Sequence, residues 1–381
     1  MINDLDYIYS NIASLQEMEE TSPELPLPIS IHSAEGCYLI DDKGNKYLDM
    51  TSNKECQPLG YFNSYFENDI YVYNSELFSS SDAVRLEKEL IKATGLNKAQ
   101  FFSSFNSCYK HTNTIIKNHL DKIQKNKILV TSTFQNREKF LINDVETEYI
   151  PLNNSSILKS LFTKTVGAII VEVIQITEEL LIANSDYLKL AEELCNKHNA
   201  LLVLDVSEIS PLRFDRGLFN YDESIKPDVL LISRGITNGI PFGAVITSEK
   251  AENIVISIKD GTIIPAYKHA LKFINNTNQE ELRNIVKKNA AYIENSLNQL
   301  SERHISVGEV KSYGMFFTIY VDISAYELAR ECLKNGVIFE AMNPHTIKLS
   351  PPYTIGKEEI DKLVNSLDTA LDKLALYDRL N

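Results

Sequence analysis

The sequence predicts an α/β protein in which helices flank a mostly parallel β-sheet. Two apolar runs, at 201–204 and Val229–Ile232, have the length and unbroken hydrophobicity of strands that are buried on both faces. A third such run spans 166–173, and helical patterns occupy 83–94 and Ser185–His198. Buried strands that alternate with helices are typical of an α/β fold.

Composition limits the class of protein. The chain has 381 residues and 44% hydrophobic content, which suits a large α/β domain with a smaller partner domain. Its formal net charge of −14 argues against nucleic acid or an anionic membrane as a partner. The first residues lack a signal-peptide pattern, and no apolar run approaches the roughly 20 residues of a membrane span. We therefore expect a cytoplasmic protein.

The cysteines do not suggest a structural site. They are five in number, scattered, and never spaced as C-x-x-C. Such a pattern favours neither a disulfide framework nor a zinc site, so we expect no metal.

Local signals place the elements of the N-terminal half. Residues 1–28 have the pattern of an amphipathic helix, and 36–49 that of a β-hairpin around a Gly-Asn turn. The helix at 83–94 has Gly95 as its expected C-cap. A strand at 101–102 then leads into a helix over 106–117. A further strand follows at 128–130. Ser185 is the expected N-cap of the helix Ser185–His198.

The pattern of the C-terminal part predicts two long helices and a small sheet between them in the sequence. The long helices cover 278–300 and 356–374. Between them lie a strand pair at 310–323, a helix at 325–335 and a strand that begins at Ile347.

Both central strands end in polar residues, where ligands of open α/β sheets bind. Asp205 and Glu208 follow the first strand, and Ser233-Arg234-Gly235 follows the second. Together with the later S-x-G-x-x-x-G-x-P-x-G-A pattern, this stretch resembles the cofactor-holding core of class III aminotransferases of the acetylornithine type, which use pyridoxal phosphate. The resemblance runs from about residue 34 to 374 with the order of elements kept.

The resemblance implies a fold and its domains. The fold is that of fold-type I pyridoxal-phosphate transferases, with a mixed, mostly parallel, seven-stranded sheet in the large domain. A smaller α+β domain is made from both termini. The expected division is 1–50 and 273–381 for the small domain and 51–272 for the large one.

The resemblance also assigns roles to cofactor-binding positions. Asp205 corresponds to the residue that holds the pyridine nitrogen, and Arg234 to the lysine that bonds the cofactor covalently. The family turn N-S-G-T, which grips the phosphate, has Ser107 and Cys108 followed by Tyr109 here. Cys108 and Tyr109 are larger than the family's Gly-Thr pair and leave less room for a phosphate. Ser107 and Lys110 could still hold an anion at the start of the helix. The alternative is an ordinary helix start that binds no ligand.

Further positions follow from the same comparison. Phe134 corresponds to an aromatic that stacks on the pyridine ring, and Arg137 to an arginine that helps to hold the substrate. Glu208 replaces a glutamine that donates to the 3′ oxygen, and Lys348 replaces the arginine for the substrate carboxylate. Thr262 corresponds to a threonine that reaches the partner's phosphate across a dimer, although a plain turn fits Gly261-Thr262 as well.

The identity of residue 234 determines whether we expect imine chemistry with the cofactor. An imine requires a neutral amine, and arginine keeps its proton and forms no useful imine. We expect Arg234 to form a structural ion pair with Asp205, with Glu208 as a second partner. A relocated lysine would overturn this interpretation, and Lys110 and Lys268 are the candidates that the sequence offers.

Three functions are therefore in competition. The leading hypothesis is a protein that has lost lysine-dependent catalysis, holds no covalent cofactor, and acts as a homodimer or as the partner of an active homologue. The second is an enzyme that binds a small anionic substrate in the same cleft. The third is an aminotransferase with a relocated lysine. Non-covalent binding of pyridoxal phosphate is compatible with the first two.

Overall fold

The computed structural model describes residues 29–61, 80–177, 180–214, 216–252, 264–277 and 280–380. The helix expected at 1–28 and the turn at Gly261-Thr262 lie outside these ranges.

The strands and helices have the following bounds. The strands are β1 (Ile31–Glu35), β2 (Tyr38–Asp41), β3 (Lys46–Asp49), β4 (Lys98–Phe102), β5 (Lys127–Thr131), β6 (Glu146–Tyr149), β7 (Val166–Glu172), β8 (Ile174–Ile176), β9 (Leu180–Ile182), β10 (Leu201–Asp205), β11 (Val229–Ile232), β12 (Gly243–Thr247), β13 (Val307–Ser312), β14 (Phe317–Val321), β15 (Val337–Ile338), β16 (Glu340–Asn343) and β17 (Thr346–Leu349). The helices are α1 (Ser81–Thr94), α2 (Phe105–Ile123), α3 (Ser155–Leu161), α4 (Ser185–His198), α5 (Glu249–Glu252), α6 (Ile264–Thr277), α7 (Glu280–Arg303), α8 (Ala325–Lys334) and α9 (Lys357–Leu380), and a 3-10 helix covers Phe134–Phe140.

A seven-stranded sheet forms the centre of the molecule, in the order β4-β12-β11-β10-β7-β5-β6. All its strands are parallel except β12, which runs antiparallel to both neighbours. The predicted α/β class with a mixed, mostly parallel sheet is therefore confirmed.

The continuous apolar runs arise because both faces of this sheet are covered. Leu202 and Leu204 of β10 belong to one buried apolar cluster, whereas Leu201 and Val203 belong to a second cluster on the opposite face. Side chains alternate between the faces of a strand, so a strand that is covered on both sides needs apolar residues at every position.

Two smaller four-stranded sheets lie outside the central one. One has the order β1-β2-β3-β15 and the other β13-β14-β17-β16. In the first, β15 pairs in parallel with β3, so segments from the two ends of the chain share one sheet. The domain boundaries at 50 and 272 stay a prediction.

Capping follows the sequence prediction in one helix and departs from it in another. Gly95 caps α1 with φ 71°, as expected for a left-handed C-cap. The N-cap of α4 is Asn184, whose side chain accepts a hydrogen bond from the Tyr187 N–H. The expectation of Ser185 is wrong by one residue, because both residue types cap well and only the backbone geometry separates them.

Candidate functional site

The carboxyl ends of four parallel strands meet at one edge of the central sheet. β10 ends at Asp205 and β7 ends at Glu172, and these two residues are register partners. Arg234 follows the end of β11, and the 3-10 helix Phe134–Phe140 follows the end of β5. This is the edge at which open α/β sheets bind ligands.

Asp205 is buried at the end of its strand. It is 3% exposed, and its Oδ1 accepts a hydrogen bond of 2.9 Å from the Ser207 N–H. Burial raises the pKa of Asp205 above its ordinary value, and the hydrogen bonds from Ser207 oppose that rise.

Arg234 forms its ion pair with Glu208 and not with Asp205. Its Nη2 lies 3.1 Å from Glu208 Oε2, and its Nη1 donates to the Lys54 carbonyl oxygen at 3.4 Å. The expectation that Asp205 is the first partner is therefore wrong, while Glu208 is a partner as proposed. The reason is geometric: the Asp205 carboxylate binds its own loop at Ser207, and Glu208 extends from that loop to the guanidinium.

A lysine that sequence reasoning missed lies on the other side of Glu208. Lys139 Nζ is 2.7 Å from Glu208 Oε1. Burial favours a higher pKa for Glu208, but the charges of Arg234, Lys139 and Lys348 outweigh it and lower the pKa below the usual range. Glu208 is therefore an ionised carboxylate between two cations. The only signal for Lys139 was its place in the segment that follows a parallel strand.

Tyr109 lies in the same cluster. Its hydroxyl is 2.8 Å from Ser207 Oγ and accepts a hydrogen bond from Lys139 Nζ at 3.3 Å. The sequence marked Tyr109 as a bulky residue in the phosphate turn, but gave no indication that its side chain reaches the loop after β10.

The expected phosphate turn is the first turn of α2. The Ser107 N–H donates to Ser104 Oγ at 3.2 Å, as in an ordinary N-cap. Cys108 is 3% exposed and packs against Gly243, where an added Cβ would lie 2.3 Å from Cys108 Sγ. The larger side chain at 108 is thus accommodated by the glycine on β12. Lys110 is exposed.

Phe134 and Arg137 lie together at the start of the 3-10 helix. The Arg137 guanidinium carbon is 5.4 Å from the centre of the Phe134 ring and 4.5 Å from that of Tyr149. Phe134 is 78% exposed, so one face of its ring is open to solvent. Arg137 is half-buried.

Glu172 holds this segment in place. Its carboxylate accepts hydrogen bonds from the Thr133 N–H at 2.6 Å and from Asn136 Nδ2. Burial, together with the charge of Asp205, raises the pKa of Glu172 to about 7. The Glu172 side chain therefore titrates near neutral pH. Its hydrogen bonds hold the start of the 3-10 helix at the end of β7.

The remaining predicted site residues are more distant or outside the described ranges. Lys348 lies on β17 in an ion pair with Glu340, and its charge acts on Glu208. Lys268 lies on α6 and is half-buried. Thr262 lies outside the described residues.

A fully buried ion pair adjoins the site and was not anticipated. Arg213 is fully buried, and its Nε lies 2.9 Å from Glu55 Oε2. Its Nη1 donates to the carbonyl oxygens of Pro351 and Met315 at 2.6 and 3.3 Å. Glu55 belongs to a turn, Ser52–Glu55, whose four residues all have φ between 50° and 69°. Four successive residues in the left-handed region are strained.

Among the described residues, no group of three or more His, Cys, Asp or Glu side chains could hold a metal ion. Within the same ranges, no helix has both the length and the hydropathy to cross a membrane.

A family model described as aminotransferase class-III matches residues 67–371. The chain belongs to the class III aminotransferase family. Acetylornithine aminotransferase from Methanocaldococcus jannaschii is 22% identical over 376 residues, which cover 91% of this chain and 94% of that protein. The enzyme of the same name from Archaeoglobus fulgidus is 25% identical over 363 residues, covering 88% and 94%.

Solved structures show the same fold. Acetylornithine aminotransferase from Elizabethkingia anophelis superposes with a TM-score of 0.77 at 20% identity and covers 95% of this chain and 98% of that one. N-acetylornithine aminotransferase from Stenotrophomonas maltophilia gives 0.80 at 18% identity, with 96% and 99% covered. At these identities the likeness establishes the fold alone.

Proposed function

We propose that this class III family member does not carry out lysine-dependent transamination and acts instead as a non-catalytic partner or ligand-binding subunit. The observation that carries the proposal is the Arg234–Glu208 ion pair, at the position that the family resemblance assigns to the imine lysine. A guanidinium keeps its proton and offers no amine nucleophile, and here it is also engaged by a carboxylate.

The other residues at the cofactor positions also disfavour a lysine-bound pyridoxal phosphate. The 3′-oxygen position has Glu208, whose lowered pKa keeps it ionised, so it would repel a phenolate-like oxygen there. In place of the Gly-Thr pair of the phosphate turn, the chain has the buried Cys108 and Tyr109. Three independent positions therefore support the same interpretation.

The electrostatics of the cluster favour a small anionic ligand. Lys139 and Arg234 face one ionised carboxylate, Glu208. The pKa of Glu172 is raised to about 7, so part of this carboxyl is protonated near neutral pH. Two cationic side chains at a sheet edge suit a carboxylate or phosphate ligand.

A relocated lysine is the second candidate, and Lys139 is the observation in its favour. Its Nζ lies inside the cluster, 2.7 Å from Glu208, whereas Lys110 is exposed. In this alternative the chain is an aminotransferase that uses Lys139 in place of the residue at 234.

An absorbance scan after incubation with pyridoxal phosphate separates the two candidates. We expect no saturable imine band at roughly 400 nm, because no amine stands at position 234. The K139M variant is the matched control, since it removes the only described lysine whose Nζ contacts Glu208. A band that is present in the native protein and lost in K139M would reject the proposal and support the second candidate.

We propose in addition that the chain dimerises, with itself or with an active homologue. The family resemblance supports this, because it assigns a threonine to the partner's phosphate site. Light scattering of the purified protein, alone and after co-expression with an active class III enzyme, tests it: a monomer in both experiments would exclude a partner role of this kind.

A further inference from the structure

The Tyr109 side chain connects two parts of the site. Its backbone lies near the N-terminus of α2, directly after Ser107 and Cys108. Its hydroxyl lies 2.8 Å from Ser207 Oγ in the loop that follows Asp205. The ring therefore spans the space between the start of α2 and the carboxyl end of β10.

The ring is enclosed along this path. Tyr109 is 4% exposed, and the Phe140 ring meets it edge-on at 5.3 Å between centroids. Lys139 Nζ lies 4.8 Å from the centre of the ring and 3.3 Å from the hydroxyl. These contacts combine packing, a cation–π interaction and hydrogen bonds on a single side chain.

The cofactor of catalytic class III enzymes would have to span the same two points. By the family resemblance, its phosphate lies at the first turn of α2 and its pyridine nitrogen at Asp205. We propose that the Tyr109 phenol fills the space of the cofactor ring, so that this chain's own side chain closes the site to pyridoxal phosphate. This inference deepens the proposed function and rests on it.

The hydroxyl also makes a polar contact beside Asp205, at the end of the site that the family resemblance assigns to the pyridine nitrogen. Burial, with the charges of Asp205 and Glu208, raises the pKa of Tyr109, so the hydroxyl keeps its proton. The neutral phenol shares a hydrogen bond of 2.8 Å with Ser207 Oγ, in the loop that follows Asp205. The buried loop is thus satisfied without a cofactor.

Binding of pyridoxamine 5′-phosphate, measured by calorimetry, tests the inference directly. This probe has the ring and phosphate of the cofactor but no aldehyde, so it forms no imine with surface lysines. We expect no saturable binding to the native protein or to Y109F, which keeps the ring. We expect Y109A to bind the probe saturably. Its dissociation constant should be at least about tenfold lower than the highest probe concentration at which the native protein and Y109F show no saturation.

The control is Y187A, which removes another buried tyrosine, on α4, and opens a cavity away from the site. It should gain no binding. If Y109A does not fold, Y109L carries the same expectation, because leucine keeps apolar packing but is shorter than the phenol. Native protein that binds the probe as tightly as Y109A would overturn the inference, and so would a folded Y109A or Y109L without any gain.

Borohydride trapping in two further variants distinguishes this inference from the proposed function. After incubation with pyridoxal phosphate, R234K/Y109A should form an imine at position 234 and R234K alone should not. Trapping at position 234 in R234K alone would overturn the closure by Tyr109 while leaving the proposed function intact. Trapping in the native chain would reject the proposed function itself.

Discussion

At the scale of single residues, the site is an ion-pair cluster whose members come from three separate segments. Arg234 and Lys139 approach Glu208 from the loop after β11 and from the 3-10 helix. Asp205 and Arg234 could be predicted as site residues because each follows a buried strand. Lys139 could not, because no local pattern indicates which way a side chain of a 3-10 helix points.

Glu172 gives the site a defined pH dependence. Its pKa is raised from 4.5 to about 7, so the folded protein keeps a proton that the unfolded chain loses. The stability that this proton contributes is fully present below pH 4.5 and is lost as the pH rises through about 7. E172Q removes the titration, so its unfolding free energy relative to the native protein should rise by up to about 3 kcal/mol between pH 5 and pH 8.

Urea unfolding at both pH values measures this difference. Glutamine can accept from the Thr133 N–H, and Asn136 can turn its amide to match, so the hydrogen bonds of Glu172 have replacements. If the difference in unfolding free energy between E172Q and the native protein is the same at both pH values, Glu172 has an ordinary pKa.

The contact between Cys108 and Gly243 makes a second residue-scale prediction. In G243A, the new Cβ would lie 2.3 Å from Cys108 Sγ, so the variant should lose about 1–3 kcal/mol of stability. C108A removes the sulfur, and the double variant G243A/C108A should be more stable than the sum of the two single changes predicts. Chemical denaturation of the native protein, the two single variants and the double variant gives the coupling free energy between positions 108 and 243. If the two changes in unfolding free energy are additive, the close contact is contradicted.

At the scale of elements, the N-terminus of α4 shows what an N-cap contributes. Asn184 accepts from the Tyr187 N–H at 2.7 Å, so N184A should cost about 1 kcal/mol of stability. S185A, one residue along, is the matched control and should change stability by less than about 0.5 kcal/mol. The opposite order in thermal or urea unfolding would restore Ser185 as the cap.

The elements themselves were largely predictable, for a physical reason. The strand at 166–173 and the helix Ser185–His198 are specified by apolar residues at a clear period, and the structure has β7 and α4 there. The order of strands was not readable from periodicity. It depends on contacts across the sheet, such as the antiparallel pairing of β12 with β4. The family resemblance implied only a mixed, mostly parallel sheet of seven strands, without their order.

At the scale of the whole molecule, Arg213 connects distant parts of the chain. It contacts Glu55 near the N-terminus and the carbonyl oxygens of Met315 and Pro351 near the C-terminus. Such a connection is not visible in the sequence, because its members are separated by up to 158 residues on one side and 138 on the other. Only the folded chain brings them together.

Loss of Arg213 should therefore destabilise the whole protein. R213M leaves Glu55 buried without its cation, which should cost about 3–5 kcal/mol. In E55Q/R213M no buried charge remains, so part of that stability should return. Urea unfolding of both variants measures the effect; an R213M protein within about 1 kcal/mol of the native one would contradict a buried, mutually dependent pair.

We propose above that this class III aminotransferase fold holds no lysine-bound cofactor. The most direct measurement is intact-mass spectrometry with peptide mapping, after incubation with pyridoxal phosphate and reduction with borohydride. We expect no stoichiometric adduct on any lysine, and at most scattered labelling of exposed ones. One reduced cofactor per chain on a single lysine, above all on Lys139 inside the cluster, would contradict it.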